Sequence, residues 1–153
     1  MAEPNIPAAS GAMTIGTLAR RTGVKIPTIR YYEDIGLLPP PSRSQSNRRL
    51  YAKSDAARLT FIRHARELGF ELAAIRTLIA LQENPEQSCS EADEIARARL
   101  FEVDEKIARL TALRAELERM LGGCAHGQIA ACRVIEVLAD HSLCSHHQAP
   151  PSP

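Results

Sequence analysis

Four cysteines and five histidines occur among 153 residues, and they fall at spacings that allow chemistry. The stretch CAHGQIAAC sets Cys124 and Cys132 around His126, Cys89 stands alone upstream, and DHSLCSHH adds Cys144 with His141, His146 and His147. Thiolate sulfur with an optional imidazole nitrogen suits Zn(II), Cd(II), Hg(II), Pb(II) or Cu(I) rather than oxygen-seeking ions. The same thiols could instead oxidise to a disulfide, which would make a redox or electrophile sensor. A zinc hydrolase needs an open metal position and a general base. No second carboxylate or nucleophile motif accompanies the cysteines, so no enzyme is expected. In a reducing cytosol, ligands or redox-active thiols are favoured over structural bridges. Each cysteine taken alone can also be a small buried hydrophobe.

The element that must position these thiols is the longest helical pattern in the chain. Glu91 to Leu121 is rich in Ala, Leu, Glu and Arg and free of Gly and Pro, which favours uninterrupted helix. Ser90 with Asp93 is a start signal and Gly122-Gly123 a stop. Ala96, Val103, Leu110 and Leu117 recur every seven residues, with Ile107 and Leu121 beside them, the signature of a coiled coil. The expected helix is roughly 46 Å long at about 1.5 Å per residue, and no other segment is long enough to cover it. A second copy of the same helix is the natural partner, so a homodimer is expected.

The seven-residue series runs back to Cys89 and forward to Cys124. Within one chain the two are on the order of 50 Å apart by helix rise and cannot share an ion. If two chains pair antiparallel, Cys89 of one lies beside Cys124 and Cys132 of the other, giving two equivalent three-thiol sites. His126 is an optional donor there. Cys144, His146 and His147 make either a further metal site or a loose, metal-binding tail.

The amino-terminal half is organised differently. IGTLARRTGV reads as a short helix stopped at Gly23, and PTIRYYEDIG as a second, with Pro27 tolerated in its first turn. Two short helices about a glycine turn suggest a helix-turn-helix. In LLPPPSRSQSNRRLY the prolines exclude helix, and the polar run before RRLY marks a hairpin tip, taken as a wing. Ser54 and Asp55 open a helix through about Leu68, and Glu71 to Leu81 forms another.

Charge separates the two halves. Residues 1–76 carry 12 Lys and Arg against 6 Asp and Glu, a net of +6, and residues 77–153 carry 7 against 12, a net of −5. The first half is therefore the polyanion-binding candidate. The start MAEPNIPAASGAM lacks the pattern of a signal peptide, and no run of apolar residues is long enough to span a bilayer. A soluble, cytoplasmic protein without a membrane partner is expected.

The motifs MTIGTLARRTGV, TIRYYEDIGLLPP, NRRLY and FIRHARELGF, in this order, resemble the mercury-resistance-type (MerR-type) transcription regulators from Met13 to about Ala139. The resemblance implies a mainly α protein with a winged helix-turn-helix, a long antiparallel coiled-coil dimerisation helix and a short C-terminal metal-binding loop. The expected divisions are an arm at 1–12, the winged module at 13–81, a connector at 82–90, the coil at 91–121, the metal loop with a short helix at 122–140, and a Cys/His tail at 141–153. It further implies a homodimer on palindromic promoter DNA that untwists and bends the operator when effector binds, so that RNA polymerase can use promoter elements spaced too far apart.

Matched onto the family's DNA-contacting positions are Arg30 and Tyr32 on the helix expected in the major groove, Arg43, Arg48, Arg49 and Tyr51 on the wing, and Arg66 toward phosphate. Tyr32 could equally be a core residue. Relatives commonly carry Gly-Tyr-Arg where this chain has Asn47-Arg48-Arg49. Members sensing monovalent ions usually have Ser at the Cys89 position, so Cys89 argues for a divalent soft metal. Zn(II) or Cd(II) is favoured because His126 offers borderline nitrogen. Pb(II), Hg(II) and Cu(I) stay open, as does a redox or Cu(I) sensor on the same scaffold.

Overall fold

In a computed structural model of the chain, residues 12–123 and 127–144 are described. The chain divides into two compact units, up to Ile95 and from Ala96 onward.

The first unit begins with helix α1, Ile15–Thr22, capped by the Thr14 side chain and ended by Gly23. Gly23 is left-handed at φ 71°, a conformation that glycine adopts without Cβ strain. Helix α2, Ile26–Asp34, carries Pro27 in its first turn. Strands β1, Ser42–Arg43, and β2, Arg49–Leu50, pair antiparallel with Arg43 opposite Arg49. Asn47 turns the hairpin with φ 58°. Among non-glycine residues Asn tolerates this region best, which explains how it can stand where relatives have Gly. Met13 forms a bridge to Tyr51 just beyond β2.

Helix α3, Lys53–Glu67, starts one residue before the expected Ser54, and the Asp55 carboxylate accepts the Ala52 backbone N–H at 2.7 Å. Helix α4, Leu72–Gln82, follows. Leu18, Ile29, Leu37, Leu38, Tyr51, Leu59, Ile62 and Ile75 are enclosed at the centre of this unit. Leu18 of α1, Ile29 of α2, Leu59 and Ile62 of α3 and Ile75 of α4 each bring one helix into that core.

Arginines fasten the elements to one another. Arg58 Nε donates to the Leu37 carbonyl at 2.9 Å, Arg63 Nη1 to that of Thr22 at 2.9 Å, and Arg76 Nη2 to that of Ile35 at 2.7 Å. The bonds to Thr22 and Ile35 satisfy carbonyls at the ends of α1 and α2 that the helices leave unpaired, and the bond to Leu37 holds the segment after α2. Part of the basic charge of residues 1–76 is thus committed to the fold.

Helix α5 runs Ser90–Gly122, slightly longer at both ends than the sequence pattern indicated. The Cys89 carbonyl accepts the Asp93 N–H at 3.0 Å, so Cys89 is the residue that begins the helix. Leu100, Ile107, Leu110, Leu117 and Leu121 are exposed along α5 in the single chain. Beyond it, a single 3-10 turn at Ile129–Ala131 precedes helix α6, Arg133–Ala139, and a further 3-10 turn spans His141–Leu143. Met120 and Val137 are buried in this second unit, as is Glu116. The Glu116 carboxylate accepts hydrogen bonds from Arg119, one of them from Nε at 3.2 Å. Arg119 Nη2 also donates to the Leu143 carbonyl at 2.8 Å. The Glu116 partnership raises the Arg119 guanidinium above its ordinary value. No described helix is long and apolar enough to cross a membrane.

Candidate nucleic-acid interface and thiol positions

The basic face is built on α2, the hairpin and α3. Arg30 is exposed on α2. On the hairpin, Arg43 Nη1 donates to the Asn47 carbonyl at 3.2 Å and to Asn47 Oδ1 at 3.0 Å, which holds the tip closed while Arg43 stays exposed. Arg48 is exposed at that tip and Arg49 half-exposed on β2. Arg66 on α3 is exposed and bonds the Phe70 carbonyl at 2.9 Å. Cations spread over a helix and an adjoining hairpin match the phosphate-directed part of DNA recognition, with the helix available for base edges.

Both tyrosines matched to DNA-contacting positions are buried, Tyr32 in the core place that the sequence left open. Tyr32 is buried in the hydrophobic cluster, its ring centroid 5.9 Å from that of Tyr31. It also lines a depression of about 400 Å³ with Lys25, Thr28, Arg63 and Arg66. Tyr51 is 0% exposed, which corrects the expectation of a wing-surface phenol. Its backbone pairs with Met13 and its hydroxyl donates to the Glu33 carboxylate of α2. Burial, followed by the hydrogen bond to Glu33, pushes the Tyr51 phenol well above its ordinary value of about 10.

Glu33 was not among the residues singled out from the sequence. Its second oxygen lies 3.5 Å from Arg49 Nε, so one carboxylate joins α2 to both β2 and the residue after it. No periodicity signals this, because the partners are 16 and 18 positions downstream.

The thiols occupy helix boundaries. Cys89 is exposed ahead of α5, Cys132 is half-buried between the 3-10 turn and α6, and Cys144 is half-buried after the last turn. Cys124, His126, His146 and His147 lie outside the described residues. Among the described residues, no three His, Cys, Asp or Glu side chains gather as a metal site. The donor chemistry at Cys89 and Cys132, sulfur rather than carboxylate oxygen, fits a soft ion.

Residues 13–82 match the family described as "MerR HTH family regulatory protein", and residues 56–120 match "MerR, DNA binding". The transcriptional regulator ZntR of Escherichia coli K12 is 41% identical over 128 residues, 81% of this chain and 90% of the relative. The chain belongs to the MerR family.

A second MerR-type relative, heavy metal-dependent transcription regulator 2 of Rhizobium meliloti, is 35% identical over 130 residues, covering 85% of this chain and 88% of its own. Among solved structures, PbrR691 of Ralstonia metallidurans in complex with lead(II) superimposes with a TM-score of 0.71 at 36% identity, over 82% of this chain and 98% of that one. The matched MerR segments contain α1 to α4 and most of α5, together with every DNA-interface residue named above. The cysteine loop at 124–132 lies beyond both segments. The matched MerR segments thus include the DNA-binding half and Cys89, and leave Cys124, Cys132 and Cys144 outside them.

Proposed function

We propose that this MerR-family chain is a non-enzymatic, cytoplasmic, metal-responsive transcriptional activator. It binds a palindromic promoter operator as a homodimer and is switched by a soft divalent ion, Zn(II) or Cd(II) first among the candidates. The observation that carries the reading is the uncovered seam of α5. Ile107 is 55% and Leu110 64% exposed in the single chain, and cysteines flank this helix in sequence on both sides. Pairing two copies antiparallel removes the apolar seam from water and brings Cys89 of one subunit to Cys124 and Cys132 of the other.

Metal bound across that interface favours one arrangement of the two subunits over the other, by the difference in its affinity for the two. The winged modules then hold the operator bent and untwisted, so that specificity arises partly from the cost of deforming the DNA. RNA polymerase recognises both promoter elements only in the deformed duplex. The heavy-metal-dependent relative and the lead(II) complex support an ion as the effector.

The test is metal binding by the reduced full-length protein, offered Zn(II), Cd(II), Pb(II), Hg(II) and Cu(I), with Cys89→Ser alongside and transcription from the target promoter as a second readout. Tight binding of a divalent ion that requires Cys89 is expected, with two ions per dimer. Cys89→Ser, Cys124→Ser and Cys132→Ser should each abolish induction while leaving operator binding in place. Binding of Cu(I) alone, with Cys89 dispensable, would replace the divalent reading. Absence of tight binding combined with a response to oxidant would make the thiols redox-active instead.

A further inference from the structure

Among the described residues of α2, Glu33 is an acidic side chain bonded into the candidate DNA interface. It is 10% exposed, accepts the Tyr51 hydroxyl through Oε1, and holds Arg49 Nε at 3.5 Å through Oε2. The Arg49 side chain keeps 39% of its surface in solvent. Arg30 stands one helical turn before Glu33 on the same helix. One nearly enclosed carboxylate of α2 therefore joins a cation of the hairpin to the phenol beside that hairpin.

We propose that Glu33 is a positioning and specificity-determining residue for DNA, acting through Arg49: it restrains the Arg49 guanidinium so that it reaches phosphate only when α2 is seated on the operator. This inference rests on the reading of the winged module as the DNA interface. Its physical basis is competition. An Arg49 charge shared with a carboxylate is less available to any passing phosphate, while its geometry relative to α2 stays fixed. The loss falls mostly on random-sequence DNA, where no base contacts hold α2 in place, and less on the operator, where register is set. The same carboxylate accepts the Tyr51 hydroxyl, so it ties the segment just after β2 to α2.

Glu33→Gln isolates the charge, because the amide oxygen still accepts the Tyr51 hydroxyl and the side chain keeps its length. The full-length protein is titrated against a short random-sequence duplex and against a duplex that the wild-type protein enriches from a random pool, each over a range of salt. Releasing Arg49 to one further phosphate should steepen the salt slope on the random duplex by about 0.9 and tighten it about fivefold near physiological salt. Affinity for the enriched duplex should change less, so that the specificity ratio falls. With Arg49→Gln already present, Glu33→Gln should shift random-duplex binding by less than about twofold, the effect having lost its intermediary.

Equal tightening in the Arg49→Gln background would overturn the proposal and leave only a general field effect. An unchanged salt slope would overturn it as well. Tyr51→Phe loses the phenol's bond but keeps the Glu33–Arg49 pair, so its salt slope should stay at the wild-type value; a steeper slope there would assign the effect to a loosened hairpin. Should Glu33→Gln fail to fold, Arg49→Gln alone still decides: it must weaken the enriched duplex more than the random one, and equal weakening refutes the role. If the wild-type protein enriches no duplex at all, the DNA reading itself fails, which is a separate outcome.

Discussion

Gly23 and Arg63 share one small space at the turn of the helix-turn-helix. Arg63 Nη1 reaches the Thr22 carbonyl at 2.9 Å, and a Cβ on Gly23 would stand 2.6 Å from that same nitrogen. Gly23 also holds φ 71°, where an L side chain is strained by roughly 1–2 kcal/mol. Gly23→Ala is therefore strained in its backbone and also displaces the guanidinium that closes α1. The melting temperature should drop by about 4–8 °C for each kcal/mol lost. Gly23→Asn should lose less of the backbone part. Equal melting of Gly23→Ala and wild type would show that the turn opens without cost.

Tyr51 makes stability sensitive to alkali. In the folded chain its phenol holds its proton well above its ordinary value of about 10, chiefly because it is buried and secondly because it donates to Glu33. Above that ordinary value the unfolded chain releases the proton while the folded chain keeps it, so unfolding becomes progressively more favourable as pH rises. The stabilisation is complete below about pH 10 and is lost as pH climbs toward the folded value. Tyr51→Phe should lower stability near neutral pH by about 1–3 kcal/mol, since the Glu33 carboxylate loses a donor. It should also remove this residue's share of the alkaline decline. Denaturant unfolding of both proteins across the alkaline range decides; parallel curves would show that Tyr51 is not the group responsible.

What the sequence disclosed and what it concealed follow from the reach of each interaction. The turn at Gly23, Pro27 in the first turn of α2, and the seven-residue series from Ala96 to Leu117 are local patterns, and the structure carries helices where they lie. The hairpin could be placed because the prolines before it exclude helix and the polar Ser, Gln and Asn run marks its tip, where the structure has Asn47 at positive φ. Concealed were contacts across many residues. Arg58, Arg63 and Arg76 look like surface charge in a one-dimensional reading, yet they bond carbonyls 21, 41 and 41 positions away. The inward turn of Tyr51 was hidden for the same reason, since its partner Glu33 lies on another element. Of the thiol set, the place of Cys89 ahead of α5 follows from the helix signals around it, whereas the place of Cys132 ahead of α6 was not signalled.

The α5 seam gives a substitution that tests pairing without disturbing the single chain. Leu110 is 64% exposed, so Leu110→Glu removes nothing from the core of one subunit. Placed in a coiled-coil seam, the same change forfeits roughly 1.5–3 kcal/mol of apolar burial on each subunit and adds charge at an apolar contact. Sedimentation should show a monomer at concentrations where the wild type is dimeric, with unchanged melting of the winged module and loss of operator binding. A Leu110→Glu protein that remains dimeric would place the interface on another face of α5.

Cys144 should prove separable from the metal-dependent switch. The chain just before it is tied to α5 by the protein itself, through the bond from Arg119 Nη2 to the Leu143 carbonyl at 2.8 Å, so its placement needs no ion. The three other thiols already form a complete soft donor set if two chains pair antiparallel, and three sulfurs suffice for a tight site of this kind. Cys144→Ser is thus expected to keep two ions per dimer and to change induction by less than about twofold. Arg119→Ala, by contrast, releases the Leu143 carbonyl and exposes the segment after α6 to proteases without altering the thiol count. Four ions per wild-type dimer, falling to two in Cys144→Ser, would instead establish the Cys144, His146 and His147 tail as a second metal site.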